Sequence, residues 1–339
     1  MKYPATLQIQ TSPHIRRGLS TRSIMGNVVL ALLPTVGWSV WVFGLAALAV
    51  ITVATLSAVL AESLYCRFNG REDTIGDWSA VISGLLLGLT LPPGLPLWMV
   101  ALGGVVAILL GKSLFGGLGC NVFNPALVGR VFLQTSFPVA LTTWTPAFAP
   151  DRFTTLPASS LTGLLQSPVD GVSAATPLGL MKFDQVTTPL MDLVMGSTAG
   201  SVGETGALFI LAGGCYLILR GMMDWRIPAA VFTGTVLISG VLHLVDPALY
   251  PGPGFMLFSG GLMLGAVFMA TDMVGSPVTP WGVWIFGLFI GALVVVIRIW
   301  GGLTEGVMYT ILLANSLAPL IERWTQPRIY GQTREATHD

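Results

Sequence analysis

Charged residues are scarce in this chain of 339 residues, and their scarcity excludes an ordinary soluble domain. Asp, Glu, Lys and Arg make up 9% of the sequence, whereas soluble domains average about 25%. Hydrophobic residues make up 53%, and the mean hydropathy is +0.77. The formal net charge is zero, so nothing in the composition favours nucleic-acid binding. Such a composition is typical of a protein that crosses the membrane several times.

Cysteine and histidine are also rare, and their positions argue against a metal centre. Cys66, Cys120 and Cys215 lie far apart and form no Cys-x-x-Cys pair. Isolated cysteines of this kind usually serve as small buried apolar side chains. The three histidines are scattered too. We therefore expect no metal site in this chain, although one cysteine could complete an iron–sulfur site shared with another chain.

We expect that the first apolar segment is not removed as a signal peptide. The first 23 residues are polar and lack an apolar signal-peptide core. Ten apolar segments follow, and several are shorter than the roughly 20 residues that cross a hydrocarbon core, which predicts tilted or broken helices. They cover residues 24–42, 43–65, 78–92, 95–111, 121–138, 205–220, 227–246, 255–271, 282–298 and 306–322.

The basic residues predict the orientation in the membrane. If the N-terminus is cytoplasmic, Arg152 and Lys182 alone fall in loops on the opposite side. The positive-inside rule then places both termini in the cytoplasm and the loop 139–204 in the periplasm of a bacterial inner membrane. The basic residues on the cytoplasmic side are Lys2, Arg16, Arg17, Arg22, Arg67, Arg71, Lys112, Arg220, Arg226, Arg323, Arg328 and Arg334.

The segments also predict an internal duplication. Five precede the central loop and five follow it, so the second group enters the membrane in the opposite sense. Residues 83–89 (SGLLLGL) are echoed by residues 259–265 (SGGLMLG). We therefore expect an all-α polytopic membrane protein with two inverted five-helix repeats, and ligand sites near helix breaks between them. The expected divisions are 1–23 (cytoplasmic), 24–138 (first repeat), 139–204 (periplasmic loop), 205–322 (second repeat) and 323–339 (cytoplasmic tail).

A short polar stretch in the central loop, residues 170–179 (DGVSAATPLG), has the character of a modification site. Small residues precede Thr176, and Pro177 favours an extended conformation for Thr176, which presents its hydroxyl. The stretch resembles the flavin-attachment motif, in which Asp and two free positions precede Ser/Thr-Gly-Ala-Ser/Thr and the last hydroxyl carries FMN. Ser173 matches the motif, whereas Ala174 replaces its usual Gly. An ordinary exposed loop is the competing interpretation.

Polar residues at predicted helix breaks are candidate ligand contacts. Asn121 and Asn124 follow a glycine-rich run and could hold a polar ligand, although small residues at such positions also serve helix packing. Arg130 lies inside the fifth segment and needs an anion or hydrogen-bond acceptors nearby. Asp272, which follows Thr271 at a predicted helix break, has a carboxylate that could contact a cation or the edge of a flavin ring. A solvated helix end is the alternative for Asp272.

Taken in order, these segments resemble the RnfD/NqrB family. Its members are the RnfD subunit of the Rnf ion-translocating electron-transport complex and the NqrB subunit of the sodium-pumping NADH:quinone reductase. The resemblance covers nearly the whole chain. Residues 272–275 (DMVG) depart from the family's usual Asp-Pro-Val-Thr. Besides the stretch around Thr176, the matching motifs are residues 12–16 (SPHIR), 31–34 (ALLP), 85–93 (LLLGLTLPP), 123–126 (FNPA), 203–205 (GET), 225–228 (WRIP), 269–272 (MATD) and 301–306 (GGLTEG).

The resemblance implies a subunit that holds FMN covalently on Thr176 and relays electrons between other subunits, coupled to Na⁺ or H⁺ translocation. It also implies a second, non-covalent flavin (riboflavin), for which Asn121, Asn124 and Arg130 are candidates. The implied partners are the RnfA, RnfB, RnfC, RnfE and RnfG subunits, a periplasmic FMN transferase and membrane lipid. Such a chain is an electron-transfer subunit and not a catalyst alone. The alternative is a solute or ion channel of the inverted-repeat urea-channel type, which needs neither Thr176 nor redox partners.

Overall fold

Helices make up the regular structure of the chain wherever it is described. The computed structural model describes residues 20–71, 74–154 and 175–327, which contain helices and no strands. Short π-turns, Leu180–Asp184 and Gly265–Met269, continue α7 and α12. The α-helices are α1 (Thr21–Phe43), α2 (Leu45–Phe68), α3 (Ser79–Thr90), α4 (Leu97–Gly111), α5 (Pro125–Ser136), α6 (Pro138–Thr142), α7 (Pro177–Gly179), α8 (Leu190–Met195), α9 (Ala207–Leu219), α10 (Arg226–Val245), α11 (Pro253–Phe258), α12 (Leu262–Leu264), α13 (Pro280–Trp300) and α14 (Val307–Thr325).

Several helices are suited to a membrane, which confirms the prediction of a polytopic membrane protein. Among the described residues, five helical segments are long and apolar enough to span a bilayer: Thr21–Phe43, Leu45–Phe68, Leu97–Phe115, Arg226–Val245 and Pro280–Trp300. Two more, Ser79–Thr90 and Ala207–Leu219, are apolar but shorter. Helices lie in the remaining predicted segments as well, but they are short, broken or less apolar. Ten spans in inverted repeats therefore stay a prediction.

Small residues allow the long helices to pack closely. A β-carbon on Gly84 of α3 would lie 2.5 Å from the Thr55 Cα of α2. A β-carbon on Gly291 of α13 would overlap the Val231 carbonyl of α10 in the same way. Such close backbone approach is how apolar helices gain packing energy without a hydrophobic driving force between them. Contacts between α1 and α9 join the first and second parts of the chain.

Two interruptions position the polar side chains. The chain leaves helical geometry after Phe115 and re-enters it at α5, where Asn124 Oδ1 accepts from the N–H groups of Ala126 (3.1 Å) and Leu127 (3.4 Å). This confirms the predicted break before a short helix. The apolar segment 255–271 is itself divided between α11 and α12 at Gly260, which has φ +62°. A β-carbon there would overlap a Glu305 carboxylate oxygen, so this break requires glycine.

Candidate functional site

Thr176 is the N-cap of α7. Its backbone is extended (φ −74°, ψ 155°), as Pro177 predicts, and Pro177 occupies the first helical position. Its Oγ1 accepts a hydrogen bond from Gly179 N–H at 3.1 Å. Thr176 is half-buried, so the chain around it holds the hydroxyl in one place. Ser173 lies outside the described residues.

The surroundings of the Thr176 hydroxyl suit a phosphoester. A β-carbon on residue 179 would lie 3.2 Å from Thr176 Oγ1, so Gly179 leaves room beside the oxygen. α7 and its π-turn form one helical segment from Pro177 to Asp184. The Leu178 N–H and the dipole at the start of such a segment favour a negative group. The residues present therefore fit FMN attached through its phosphate.

Apolar side chains anchor this helical segment to α11. Leu178 and Met181 are buried and pack with Leu193, Phe255 and Met256 in a small separate core. Burial of each such side chain contributes about 1.5–3 kcal/mol. Thr176 is thereby held against the second part of the chain.

Lys182 makes a second attachment, to the end of α13. Its Nζ donates to the carbonyl of Arg298 at 3.1 Å and to that of Leu303 at 3.2 Å. The third ammonium proton is directed to the Gly301 carbonyl. Burial lowers the pKa of Lys182, while three acceptors stabilise its protonated form. A cation that satisfies the last carbonyls of α13 also complements the dipole of that helix.

A buried ion pair secures the break beneath Thr176. Arg298, which is fully buried, donates from Nη1 to Met256 O (2.6 Å) and from Nη2 to Ser259 O (2.9 Å). Nη2 also lies 3.3 Å from Glu305 Oε1. The other Glu305 oxygen accepts from Gly261 N–H at 3.0 Å. The pair therefore satisfies backbone groups on both sides of the break between α11 and α12.

Two separate water-sized cavities, one lined by Thr176 and the other by Arg130, share Glu204 and Glu305 in their walls. Thr176, Glu204 and Glu305 line a cavity of about 10 Å³, and Trp144 forms another wall. Arg130, Glu204 and Glu305 line the next, of about 20 Å³. Arg130 is 5% exposed, and the Glu204 and Glu305 carboxylates that line the same cavity attract its charge, although neither forms a direct ion pair with it in the part of the chain described here. Its donors therefore face the cavity, which is large enough for a water molecule.

The other residues that the sequence predicts as ligand contacts line a larger cavity, of about 120 Å³. Asn121, Asn124, Thr271 and Asp272 all line it, between largely apolar walls that include Phe268. The Asn121 amide lies 3.5 Å from Asp272 Oδ2. The second Asp272 oxygen is fixed by a backbone N–H at 3.2 Å. The structure thus brings the two asparagines to Asp272, whereas Arg130 lies in a different cavity.

Lys112, counted above among the basic residues of the cytoplasmic side, forms a buried ion pair with Glu62. Both are buried, and Lys112 Nζ lies 2.6 Å from Glu62 Oε1. Lys112 also donates to Ser79 Oγ, and Lys112 and Ser79 line the larger cavity. Because the two charges compensate each other, both can leave water. Lys182, Arg298 and Glu305 were likewise not predicted as site residues, since their partners are distant in sequence.

Comparisons with known proteins agree with the sequence motifs. The model of the NQR2, RnfD, RnfE family matches residues 8–331. The D subunit of the Na⁺-translocating ferredoxin:NAD⁺ oxidoreductase complex of Acetobacterium woodii is 42% identical over 332 residues, which cover 97% of this chain and 96% of that protein. The D subunit of the proton-translocating ferredoxin:NAD⁺ oxidoreductase complex of Clostridium ljungdahlii is 41% identical, with 96% of each chain covered. The D subunit of the ion-translocating oxidoreductase complex of Yersinia enterocolitica is 40% identical, with 97% and 99% covered. The chain belongs to the NQR2, RnfD, RnfE family.

Proposed function

We propose that this chain is the membrane subunit of an ion-translocating oxidoreductase complex in which Thr176 carries covalent FMN. Its task is to relay electrons between other subunits, coupled to Na⁺ or H⁺ translocation. Family membership supports this function, because relatives of similar length are named as the D subunit of such complexes. When bound, a flavin supplies exchange of one or two electrons, and the protein determines its position and surroundings.

The observation that carries the proposal is the fixed hydroxyl of Thr176. It lies at the start of a helical segment, beside a glycine, with its backbone extended. Leu178 and Lys182 hold the segment against α11 and α13. An anchored attachment point restricts how far a tethered group can move, and electron transfer requires such restriction. A helix cap alone explains the hydrogen bond to Gly179, but not the match of residues 170–176 to the attachment motif.

Substitutions at Thr176 separate the cap from the attachment. Thr176→Asn keeps an N-cap acceptor but offers no hydroxyl for esterification. Thr176→Val removes both, and loss of a cap costs about 1 kcal/mol of stability. We expect in-gel flavin fluorescence at the position of this chain for the wild type, some for Thr176→Ser, and none for the Asn and Val variants.

The asparagine variant is the matched control, because it should insert and fold like the wild type. Flavin fluorescence that survives denaturation in Thr176→Asn would place the attachment elsewhere. A wild-type chain without covalent flavin, made in a host with an active periplasmic FMN transferase, would remove the principal support for the function. The channel alternative predicts that outcome.

The larger cavity is our candidate for a second, non-covalent flavin. Its walls are largely apolar, and Asn121, Asn124 and Asp272 offer donors and acceptors. This combination suits a flat heteroaromatic ring with a polar edge. Arg130 faces a cavity of water size, so its separation from the asparagines favours a different role for it. We therefore propose Asn121 and Asn124, without Arg130, as contacts of the second flavin.

Asp272 is our candidate for cation handling, with Thr271. Asp272 sits where α12 and its π-turn have ended and before α13 begins, beside the larger cavity. The Thr271 hydroxyl donates to Val267 O at 2.6 Å and keeps a lone pair for another partner. A carboxylate at such a break can meet a cation that has shed part of its water.

Two inverted repeats remain our proposal for the architecture. Packing supports it, because α2 contacts α3 and α4 much as α10 contacts α11 and α13. α4 also packs on α5 as α13 packs on α14. The distribution of basic residues supports an orientation of this arrangement with both termini in the cytoplasm and Thr176 in the periplasm of the inner membrane. The same orientation exposes Thr176 to a periplasmic transferase.

A further inference from the structure

An aromatic cavity of about 240 Å³ lies at the far end of the Thr176 helical segment. Trp300 and Tyr250 form part of its wall, and Leu249, Pro251 and Ile299 make much of the remainder apolar. Neither the family motif nor the helix packing accounts for this cavity. The residues on its remaining side are Met181, Lys182, Gln185 and Arg298.

The two aromatic rings pack edge to face at the wall of the cavity. The ring centroids of Tyr250 and Trp300 are 6.2 Å apart and the planes are inclined by 60°. Trp300 is 59% exposed, so most of its indole surface has no protein partner. Trp300 ends α13, whose last carbonyls are held by Lys182, so the indole is attached to a rigid element. An open, rigid indole face favours stacking by another aromatic system.

The cavity is within reach of a group tethered to Thr176. Met181, Lys182 and Gln185 belong to the helical segment that Thr176 caps or follow it directly. At about 1.5 Å of rise per residue, Met181 lies roughly 8 Å along the axis from Thr176 and Gln185 roughly 14 Å. The phosphoribityl chain of FMN spans about eight single bonds, which extend to roughly 9 Å. An extended tether therefore reaches the near edge of the cavity, at Met181.

Polar groups at the cavity wall suit the heteroatoms of a flavin ring. Gln185 is exposed and its amide offers both a donor and acceptors. The Nε of Arg298 is buried without a hydrogen-bond partner, although both terminal nitrogens are paired. Donors near the pyrimidine side of a flavin stabilise the negative charge that reduction brings.

We propose that the isoalloxazine ring of the flavin on Thr176 binds in this cavity, against the indole of Trp300. The inference rests on the proposed attachment at Thr176 and adds the place of the ring. In this arrangement Lys182 and Trp300 act together. Lys182 fixes the helical segment that begins at Thr176 to the end of α13, and Trp300, the last residue of α13, contacts the ring. The ring would then have a defined distance to redox partners.

The membrane offers a second explanation for the exposed indole of Trp300. Trp and Tyr are enriched where a protein meets the lipid headgroups, so Trp300 could serve only as an interfacial anchor. An anchor predicts that Trp300 affects membrane insertion or stability but not the optical properties of the flavin. The two interpretations therefore differ in a measurement on the flavin.

Fluorescence of the covalent flavin in the intact, detergent-solubilised complex tests the proposal. We compare Trp300→Leu and Trp300→Phe with the wild type and with Trp281→Leu, an equally radical change at the exposed start of the same helix. Indole stacking quenches flavin fluorescence, so Trp300→Leu should raise the native signal at least about threefold. Quenching by added iodide should rise as well. The Phe variant should fall between, and Trp281→Leu should match the wild type.

The amount of flavin on the chain distinguishes the failures. Unchanged fluorescence and iodide quenching in Trp300→Leu, with wild-type flavin content, would overturn the ring site and leave the attachment at Thr176 intact. Absence of covalent flavin from the wild type would overturn both. If Trp300→Leu does not assemble, Trp300→Phe decides, because a phenyl ring keeps the packing and is a weaker quencher of flavin than indole.

Discussion

Replacing Arg298 with methionine should destabilise the protein more than any surface change, because its guanidinium is fully buried and completes the break under Thr176. Methionine fills a similar volume but donates no hydrogen bonds. The Met256 and Ser259 carbonyls would lose their donors, and Glu305 would lose its counter-charge. Breaking a buried pair from one side typically costs 3–5 kcal/mol, so we expect a loss of about that size.

The assay is thermal unfolding of the solubilised chain. For a chain of 339 residues, a loss of about 3–5 kcal/mol corresponds to a fall in apparent Tm of roughly 4–7 °C. Arg323→Met is the control, since Arg323 is exposed near the end of α14 and its loss should change stability by less than about 0.5 kcal/mol. Adding Glu305→Gln to Arg298→Met should recover part of the loss, because it removes the unpaired carboxylate.

A fall of less than about 1 kcal/mol for Arg298→Met would refute this reasoning. It would mean that water or a neighbouring side chain replaces the guanidinium at little cost. Failure of Glu305→Gln to recover any stability in the double variant would show that the two side chains do not act as a pair. The positive φ of Gly260 would then be the main cause of the break between α11 and α12.

Three further outcomes follow from the same contacts and from the sequence. Gly260→Ala should destabilise the chain by more than Gly221→Ala, measured by thermal unfolding, because both residues have positive φ but only Gly260 faces a crowded wall; equal losses would contradict the close approach. Asp272→Asn should impair ion-coupled turnover of the assembled complex while covalent flavin stays in place, and unchanged turnover would make Asp272 a solvated helix end. A reporter fused after Gln332 should behave as cytoplasmic and one inserted near Ser159 as periplasmic, whereas the reverse pattern would invert the proposed topology.

The long apolar helices were predictable because apolar composition determines which segments can leave water. The extended backbone at Thr176 was predictable too, since it depends on the residue and its immediate neighbour, Pro177. Local steric preference is enough for such a feature. The family resemblance was equally accessible, because it depends on ordered short motifs and not on three-dimensional contacts.

The sequence could not predict that Asn124 and Arg130 line different cavities, because this depends on distances along and between helices. Asn124 caps α5, and Arg130 lies six residues later on the same helix, which separates them by roughly 9 Å. One sequence region therefore contributes to two cavities. The role of Lys182 was hidden for a different reason: its acceptors lie 116 to 121 residues further along the chain. No local pattern marks a lysine that completes the end of a distant helix.

Peptide mass spectrometry of the segment between Arg152 and Lys182 tests the central claim most directly. Trypsin should release residues 153–182 as one peptide, because no lysine or arginine lies between these two positions. The peptide should carry the mass of FMN less one water, and fragmentation should place that mass on Thr176. An unmodified peptide from a host with an active flavin transferase, or the same mass on Ser173, would contradict the assignment of Thr176 as the flavin carrier.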